Sequence, residues 1–211
     1  MRHHMQSLTC VDYDGYGQLQ GQWDTGRRRW AIPVTVAHLE RPTRQEMEPL
    51  LPAPAVQTVP ADGVPSAVHV PMFVATDAAS WVSPSLSAFD PLAPSTAVTV
   101  TANPLAMTFV PGDDSQAQVC AGPGVLFDRS LVPDDPWVQA GWPGRCSHTY
   151  ERRTWDTDGN VVPGRPWGWP ASLTITWDVT ATSGTSVQEL RSTGFARPVV
   201  EIQTVIVNGG F

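Results

Sequence analysis

Three stretches decide the fold: Ala97-Val98-Thr99-Val100-Thr101-Ala102, Leu105-Ala106-Met107-Thr108-Phe109-Val110, and Ala171-Ser172-Leu173-Thr174-Ile175-Thr176-Trp177-Asp178-Val179-Thr180. In each, apolar residues alternate with threonine or another small polar residue. A period of two sends successive side chains to opposite faces, so each stretch reads as a strand with one buried face. Between the second and third lie a turn, Pro111-Gly112-Asp113-Asp114, then Val119-Cys120-Ala121-Gly122-Pro123-Gly124, a long loop, and Cys146-Ser147-His148-Thr149-Tyr150.

Outward from this block, Ala67-Val68-His69-Val70-Pro71-Met72-Phe73-Val74-Ala75 predicts a strand that Pro71 confines to an edge or a bulge. Trp81 falls in a loop ending near Pro94, and two further strands are expected over 186–195 and 199–207. Residues 1–40 are polar and glycine-bearing, with a short strand expected at Trp30-Ala31-Ile32-Pro33-Val34-Thr35-Val36. Arg41-Pro42-Thr43-Arg44-Gln45-Glu46-Met47-Glu48 predicts a helix capped by Thr43, with Glu46 three residues later, and stopped by Pro49 and Pro52. Prolines at 49, 52, 54, 60 and 65 read as an extended linker. The expected organisation is an N-terminal extension and Pro-rich linker over 1–66, then an all-β domain over 67–211. Short strands with turns between them and almost no helix imply an antiparallel sandwich, with closure into a barrel left open.

Composition agrees with this class. The 21 prolines are about twice average usage, which disfavours long helices and central strand positions. All 13 basic side chains are arginine, and the net charge of −7 leaves no basic face for a nucleic-acid backbone. Arg27-Arg28-Arg29, followed by Trp30, reads as a solvated turn. No apolar run approaches the roughly 20 residues that span a bilayer. No apolar leader segment follows Met1-Arg2-His3-His4-Met5.

Cys120 and Cys146 enclose an irregular, Gly-, Pro-, Asp- and Trp-bearing excursion, which within a compact domain calls for a tether or a function. A disulfide between them supplies the tether and implies an oxidising compartment. The competing readings are unpaired buried thiols and a Cys₃His zinc site from Cys10, Cys120, Cys146 and His148, although no pair has the usual C-x₂₋₄-C spacing. Under the disulfide reading Cys10 is left as a free thiol or an intermolecular partner.

His148 and Asp178, both on expected core strands, form the most tempting acid/base pair. No nucleophile elbow, H-E-x-x-H or phosphate-binding glycine loop accompanies them, so their expected role is structural. Asp156-Thr157-Asp158-Gly159-Asn160 has three oxygen ligands of a calcium loop, Asp156, Asp158 and Asn160, but not the rest, and reads first as a tight turn. Of the nine tryptophans, Trp137, Trp142, Trp155, Trp167 and Trp169 lie in Pro/Gly-rich segments. In an extended Pro166-Trp167-Gly168-Trp169-Pro170, both indoles point to one side, where exposed rings could stack on sugars or anchor a protein. Burial against the end of the domain is the competing reading.

The block over 96–182 resembles a PKD domain, an Ig-like sandwich of bacterial surface proteins. That family has a W-x-F-G-D-G-like turn, an H-x-Y pair and a Y-x-V-x-L-x-V strand. Phe109-Val110-Pro111-Gly112-Asp113-Asp114, His148-Thr149-Tyr150 and Leu173-Thr174-Ile175-Thr176-Trp177-Asp178-Val179 stand at those places, with Asp114 in place of the final glycine. The chain is also similar to actinobacterial secreted or membrane-tethered proteins of unknown role, which carry C-x-G-P-G, C-x-H-x-Y and a threonine-rich strand ending in T-W-x-V. The resemblance implies a structural His148, with Tyr150 and Trp177 in the core, and an extracellular or cell-surface location.

The functional expectation is a non-catalytic extracytoplasmic module, without cofactor or metal, that mediates surface display or protein–protein contacts. The alternatives are a subunit of a filament, tail or shell using residues 1–66 as an arm, and a carbohydrate binder using Trp167 and Trp169. Expected partners are another protein or further copies of the chain, and no nucleic acid.

Overall fold

The computed structural model describes residues 9–13, 19–24, 34–91, 93–156 and 158–202. Strands β1 (Thr9–Tyr13) and β2 (Leu19–Asp24) form an antiparallel hairpin. Cys10 lies on β1, and its thiol is outside the described residues, as are Arg27, Arg28, Arg29 and Trp30 and most of the strand expected around them. The next element is α1 (Val36–Met47), followed by β3 (Val56–Val59), β4 (Ser66–Ala67), β5 (Pro71–Thr76) and β6 (Ser85–Asp90). Then come β7 (Ala93–Val110), β8 (Gln118–Cys120), α2 (Pro136–Ala140) and β9 (Ser147–Thr149). The described chain closes with β10 (Trp169–Ala181), β11 (Ser186–Arg197) and β12 (Val199–Val200). The molecule is mostly antiparallel sheet, as the alternating patterns predicted. Among the described residues no helix is long and apolar enough to cross a membrane.

The largest sheet has the order β11-β10-β7-β6, with β8 also on β7. β6 flanks the first half of β7 and β8 the second half, on the edge away from β10. The two apolar runs at 97–102 and 105–110 are a single strand rather than two, continuous through Asn103 and Pro104. The register opposite β10 jumps between Thr176, which faces Ala106, and Trp177, which faces Pro104. That bulge accommodates the proline, which has no N–H to give to a ladder. It also changes the parity of β7, so Val98, Val100 and Ala102 share a face with Met107 and Phe109. On β10 every odd residue from Trp169 to Ala181 is buried on that same face.

One face of one sheet therefore carries two cores. Over its first part, Met107, Phe109, Leu173 and Ala171 pack with Met72 and Val74 of the three-stranded sheet β3-β5-β9, and with Tyr150 and Cys146. Over the second part, Val98, Val100, Ile175, Trp177 and Val179 pack under Met47 of α1 and under Leu51. Trp81 touches both.

The N-terminal boundary differs from expectation. α1 begins at Val36, capped at Thr35, whose N–H donates to His38 Nδ1 at 3.2 Å. Thr43 is not the cap: it lies inside the helix, buried, and its hydroxyl donates to the Leu39 carbonyl at 2.6 Å. Pro42 lies within the helix, where it removes one backbone bond. The apolar spacing Val36, Leu39, Met47 compensates by burying one side against the sheet. The expected linker is also part of the fold. β3 pairs with β5, and β4 pairs in parallel with β12. Residues 34–66 are thus neither a spacer nor a detached arm. Pro71 is the first residue of β5, which is the middle strand of its sheet and not an edge.

Candidate functional site

The turn at Pro111-Gly112-Asp113-Asp114 is the centre of a polar cluster. Gly112 has φ +82, and a Cβ there would lie 2.4 Å from the Pro170 carbonyl oxygen, so the turn sits flush on the start of β10. Asp113 turns inward. Its Oδ2 is 3.0 Å from His148 Nε2, and both side chains are only 7% exposed. Its Oδ1 accepts from the Ser115 N–H at 3.2 Å and from the Ser115 hydroxyl. Burial raises the Asp113 carboxyl, but the Ser115 and His148 bonds outweigh it and hold the group below its usual range. His148 packs edge-on against Tyr150, with ring centroids 4.6 Å apart. The Tyr150 hydroxyl donates to the Pro111 carbonyl at 3.3 Å, and burial first, then the Asp113 charge, pushes its pKa up. Arg152 donates to the Asp113 carbonyl at 2.6 Å.

His148 thus works with Asp113 and not with Asp178. Asp178 lies on the outer face of β10, where it accepts a hydrogen bond from the Ser186 hydroxyl. Sequence held a signal against that pairing: residues 173, 175, 177 and 179 are the apolar positions of β10, which sends 178 the other way. A buried, fully engaged histidine and carboxylate make a brace between the turn and β9.

Cys120 and Cys146 are bonded to each other, with Cα atoms 5.5 Å apart, which overturns the zinc reading. Cys120 ends β8 on the large sheet, and Cys146 is tied to β5 by its carbonyl, which accepts from Val74 N–H at 2.8 Å. The bond therefore links two sheets and anchors the excursion between them. Asp156 closes its own turn, accepting from the N–H groups of Asp158 at 3.0 Å and Asn160 at 2.8 Å. Among the described residues no three His, Cys, Asp or Glu side chains gather as metal ligands.

The tryptophans separate. Trp169 is 5% exposed and belongs to the core, so Trp167 and Trp169 do not form an exposed coplanar pair. Trp167 is 55% exposed and meets Trp155 edge-on at 5.6 Å, while Trp155 Nε1 donates to the Trp167 carbonyl at 2.6 Å. Trp142 lies under the Arg145 guanidinium at 5.7 Å. Trp137, 58% exposed on α2, donates its indole N–H to the His69 carbonyl at 3.1 Å. Trp177 is fully buried.

Two features had no sequence signal. One is an open cleft of about 460 Å³ lined by His69, Glu151, Arg152, Arg153, Arg165 and Glu201 among others. Within it His69 Nδ1 lies 3.1 Å from the Glu151 carboxylate, and Arg153 pairs with Glu201 at 2.7 Å. Arg152 and Arg165 lie 5.3 and 5.6 Å from the Trp169 ring centre. The other is Arg197, 1% exposed, whose guanidinium donates to Ser66 Oγ at 2.7 Å and to the Pro60 carbonyl at 2.9 Å. Burial lowers its pKa. It rivets the 58–66 segment to the end of β11. Compared with known proteins, the chain matches no family model, no curated protein and no solved structure.

Proposed function

We propose that the chain is a non-catalytic extracytoplasmic module, an Ig-like, PKD-like antiparallel sandwich that displays or holds protein partners at a cell surface. The observation that carries this reading is the Cys120–Cys146 bond, because such cross-links persist in oxidising compartments. Two details favour the PKD-like part. His148 bonds across to the turn, the role its counterpart has in that family. Asp114, standing where the family has glycine, adopts φ +69, the left-handed conformation that glycine favours.

The non-catalytic part rests on the His148–Asp113 pair, whose carboxylate oxygens and imidazole Nε2 are spent on internal bonds, with His148 Nδ1 facing Gln118 Nε2 at 3.5 Å. Binding would use the aromatics that the scaffold holds out, Trp137 and Trp167, since rigid exposed indoles are effective anchors for a protein partner.

Intact mass of the chain isolated from the organism that makes it, with and without reductant, tests the compartment. The expected result is a bonded 120–146 pair, and two free thiols there would overturn the assignment. Replacing Trp137 and Trp167 together by alanine should release the protein from its envelope fraction while the chain stays folded, with only the small drop in unfolding temperature expected from losing the Trp137 bond to the His69 carbonyl and the Trp167 contact with Trp155. Unchanged retention would sink the proposed role of these rings.

A further inference from the structure

The two edges of the large sheet are built differently. β6 has six residues and a register break between Phe89 and Asp90, the kind of irregularity that blunts an edge. β11 runs twelve residues in unbroken register against β10, contains no proline, and has no other strand beside it among the described residues. A long, regular edge is a template for another strand.

Which backbone groups face outward follows from the hairpin. Ala181 N–H donates to the Thr185 carbonyl at 2.9 Å, and Gly184 N–H donates to the Ala181 carbonyl at 2.9 Å. The odd residues of β10 therefore bond toward β11, where they face Val187, Glu189, Arg191 and Thr193. Antiparallel ladders alternate, so the N–H and C=O groups of Ser186, Gln188, Leu190, Ser192 and Gly194 point to the open edge. Arg191 Nη1 already donates to the Leu190 carbonyl at 3.0 Å, a flexible cover over one of these acceptors.

We propose that β11 pairs antiparallel with β11 of a second copy of this chain, about a twofold axis at Leu190, so that the two large sheets run on as one. In this register Gln188 faces Ser192 and Ser186 faces Gly194, and all four direct backbone groups into the joint. Leu190, 59% exposed, meets its own counterpart on the outer face. Glu189 faces Arg191 of the second copy, twice by symmetry, and opposite charges directly across a ladder stabilise it. Axes at Glu189 or at Arg191 place like charges opposite each other, and an axis at Ser192 leaves both unmatched. Arg191 Nη2 keeps its hold on Glu48, whose carbonyl accepts at 2.5 Å and whose carboxylate lies 3.6 Å away, while Nη1 turns from Leu190 to the facing carboxylate. The pairing does not depend on the compartment in which the chain works.

Sedimentation equilibrium of the full chain over a range of concentrations tests it, with thermal unfolding as the check that each variant is folded. The wild type should be a reversible monomer–dimer system. Gln188→Pro removes one outward N–H from a position where an edge strand tolerates proline, and should raise the dissociation constant at least about tenfold. Glu189→Arg alone and Arg191→Glu alone should each weaken self-association similarly, because each puts like charges across the joint. Mixed together, they should form a heterodimer in which both Glu–Arg contacts across the joint are restored. A wild type that stays monomeric up to about 1 mM overturns the proposal. So does a dimer indifferent to the charge variants, or a mixture that does not pair. Should Gln188→Pro not fold, the charge variants, which change side chains only, decide the matter.

Discussion

Gly112 and Asp114 lie two residues apart in one turn, and both have positive φ. Their surroundings are opposite. Any side chain at Gly112 would strike the backbone of Pro170, whereas Asp114 is 90% exposed and its carboxylate pairs with Arg152 at 3.2 Å. Gly112→Ala combines a left-handed penalty with a clash that backbone must absorb, and should cost about 2–3 kcal/mol in urea unfolding. Asp114→Gly removes a left-handed cost of about 1–2 kcal/mol, but it gives up a surface ion pair worth under about 1 kcal/mol and adds roughly 0.5–1 kcal/mol of glycine chain entropy in the unfolded state. It should therefore leave stability within about 1 kcal/mol of the wild type, on either side. Equal stability of Gly112→Ala and the wild type would mean that the turn does not rest on β10. The glycine was visible in the sequence as a turn former; its contact with Pro170 joins residues far apart in the chain and had no local sign.

Helix α1 is held to the β10–β11 hairpin by a charge-assisted network. Glu40 accepts from the Ser183 hydroxyl at 2.5 Å, from the Thr185 hydroxyl, and from Arg44 Nε at 2.9 Å. Arg44 in turn donates to the carbonyls of Val179 at 2.6 Å and Thr185 at 2.8 Å. The Ser183 bond first, then Thr185 and Arg44, pull the Glu40 carboxyl down from 4.5 to about 2. A carboxyl with a lowered folded pKa contributes stability that is fully present above its unfolded value and is lost as pH falls through the folded one. The urea midpoint should therefore drop as pH falls from 4.5 toward 2, and Glu40→Gln should flatten part of that drop. An identical pH profile for the variant would show that α1 is not docked by this carboxylate. Little of this helix was legible. Thr43 with Glu46 three residues later resembled a capping pair and placed the start too late, because burial of Met47 and Leu39 against the sheet carries the helix through Pro42 despite the bond the proline removes. β6 escaped notice for the opposite reason: its inward residues, Leu86 and Ala88, alternate with serines and give a weak period-two signal.

At the scale of the molecule, the central strands and the sulfur bridge were readable, since both rest on patterns local in sequence. A strand announces its buried face by parity, and two cysteines flanking an irregular excursion announce a cross-link. The pairing of His148 with Asp113, the buried Arg197 and the charged cleft depend on which distant segments meet, which no periodicity encodes. The linker reading failed because proline frequency marks extended backbone, and extended backbone can equally well join a sheet, as β3 does.

The sharing of one sheet face by two cores has a dynamic consequence. The disulfide braces only the part beside β5 and β9, and the other part is covered by α1, with Trp81 touching both. Reduction should thus lower the opening free energy of one cooperative unit ahead of the other. Amide exchange followed by mass spectrometry should speed up over Met72–Val74 while slowly exchanging amides at Val98–Ala102 keep their protection. Uniform acceleration would mean a single all-or-none unit. In the expected case, a thiol reagent leaves the molecule ajar at one end with the other still shut.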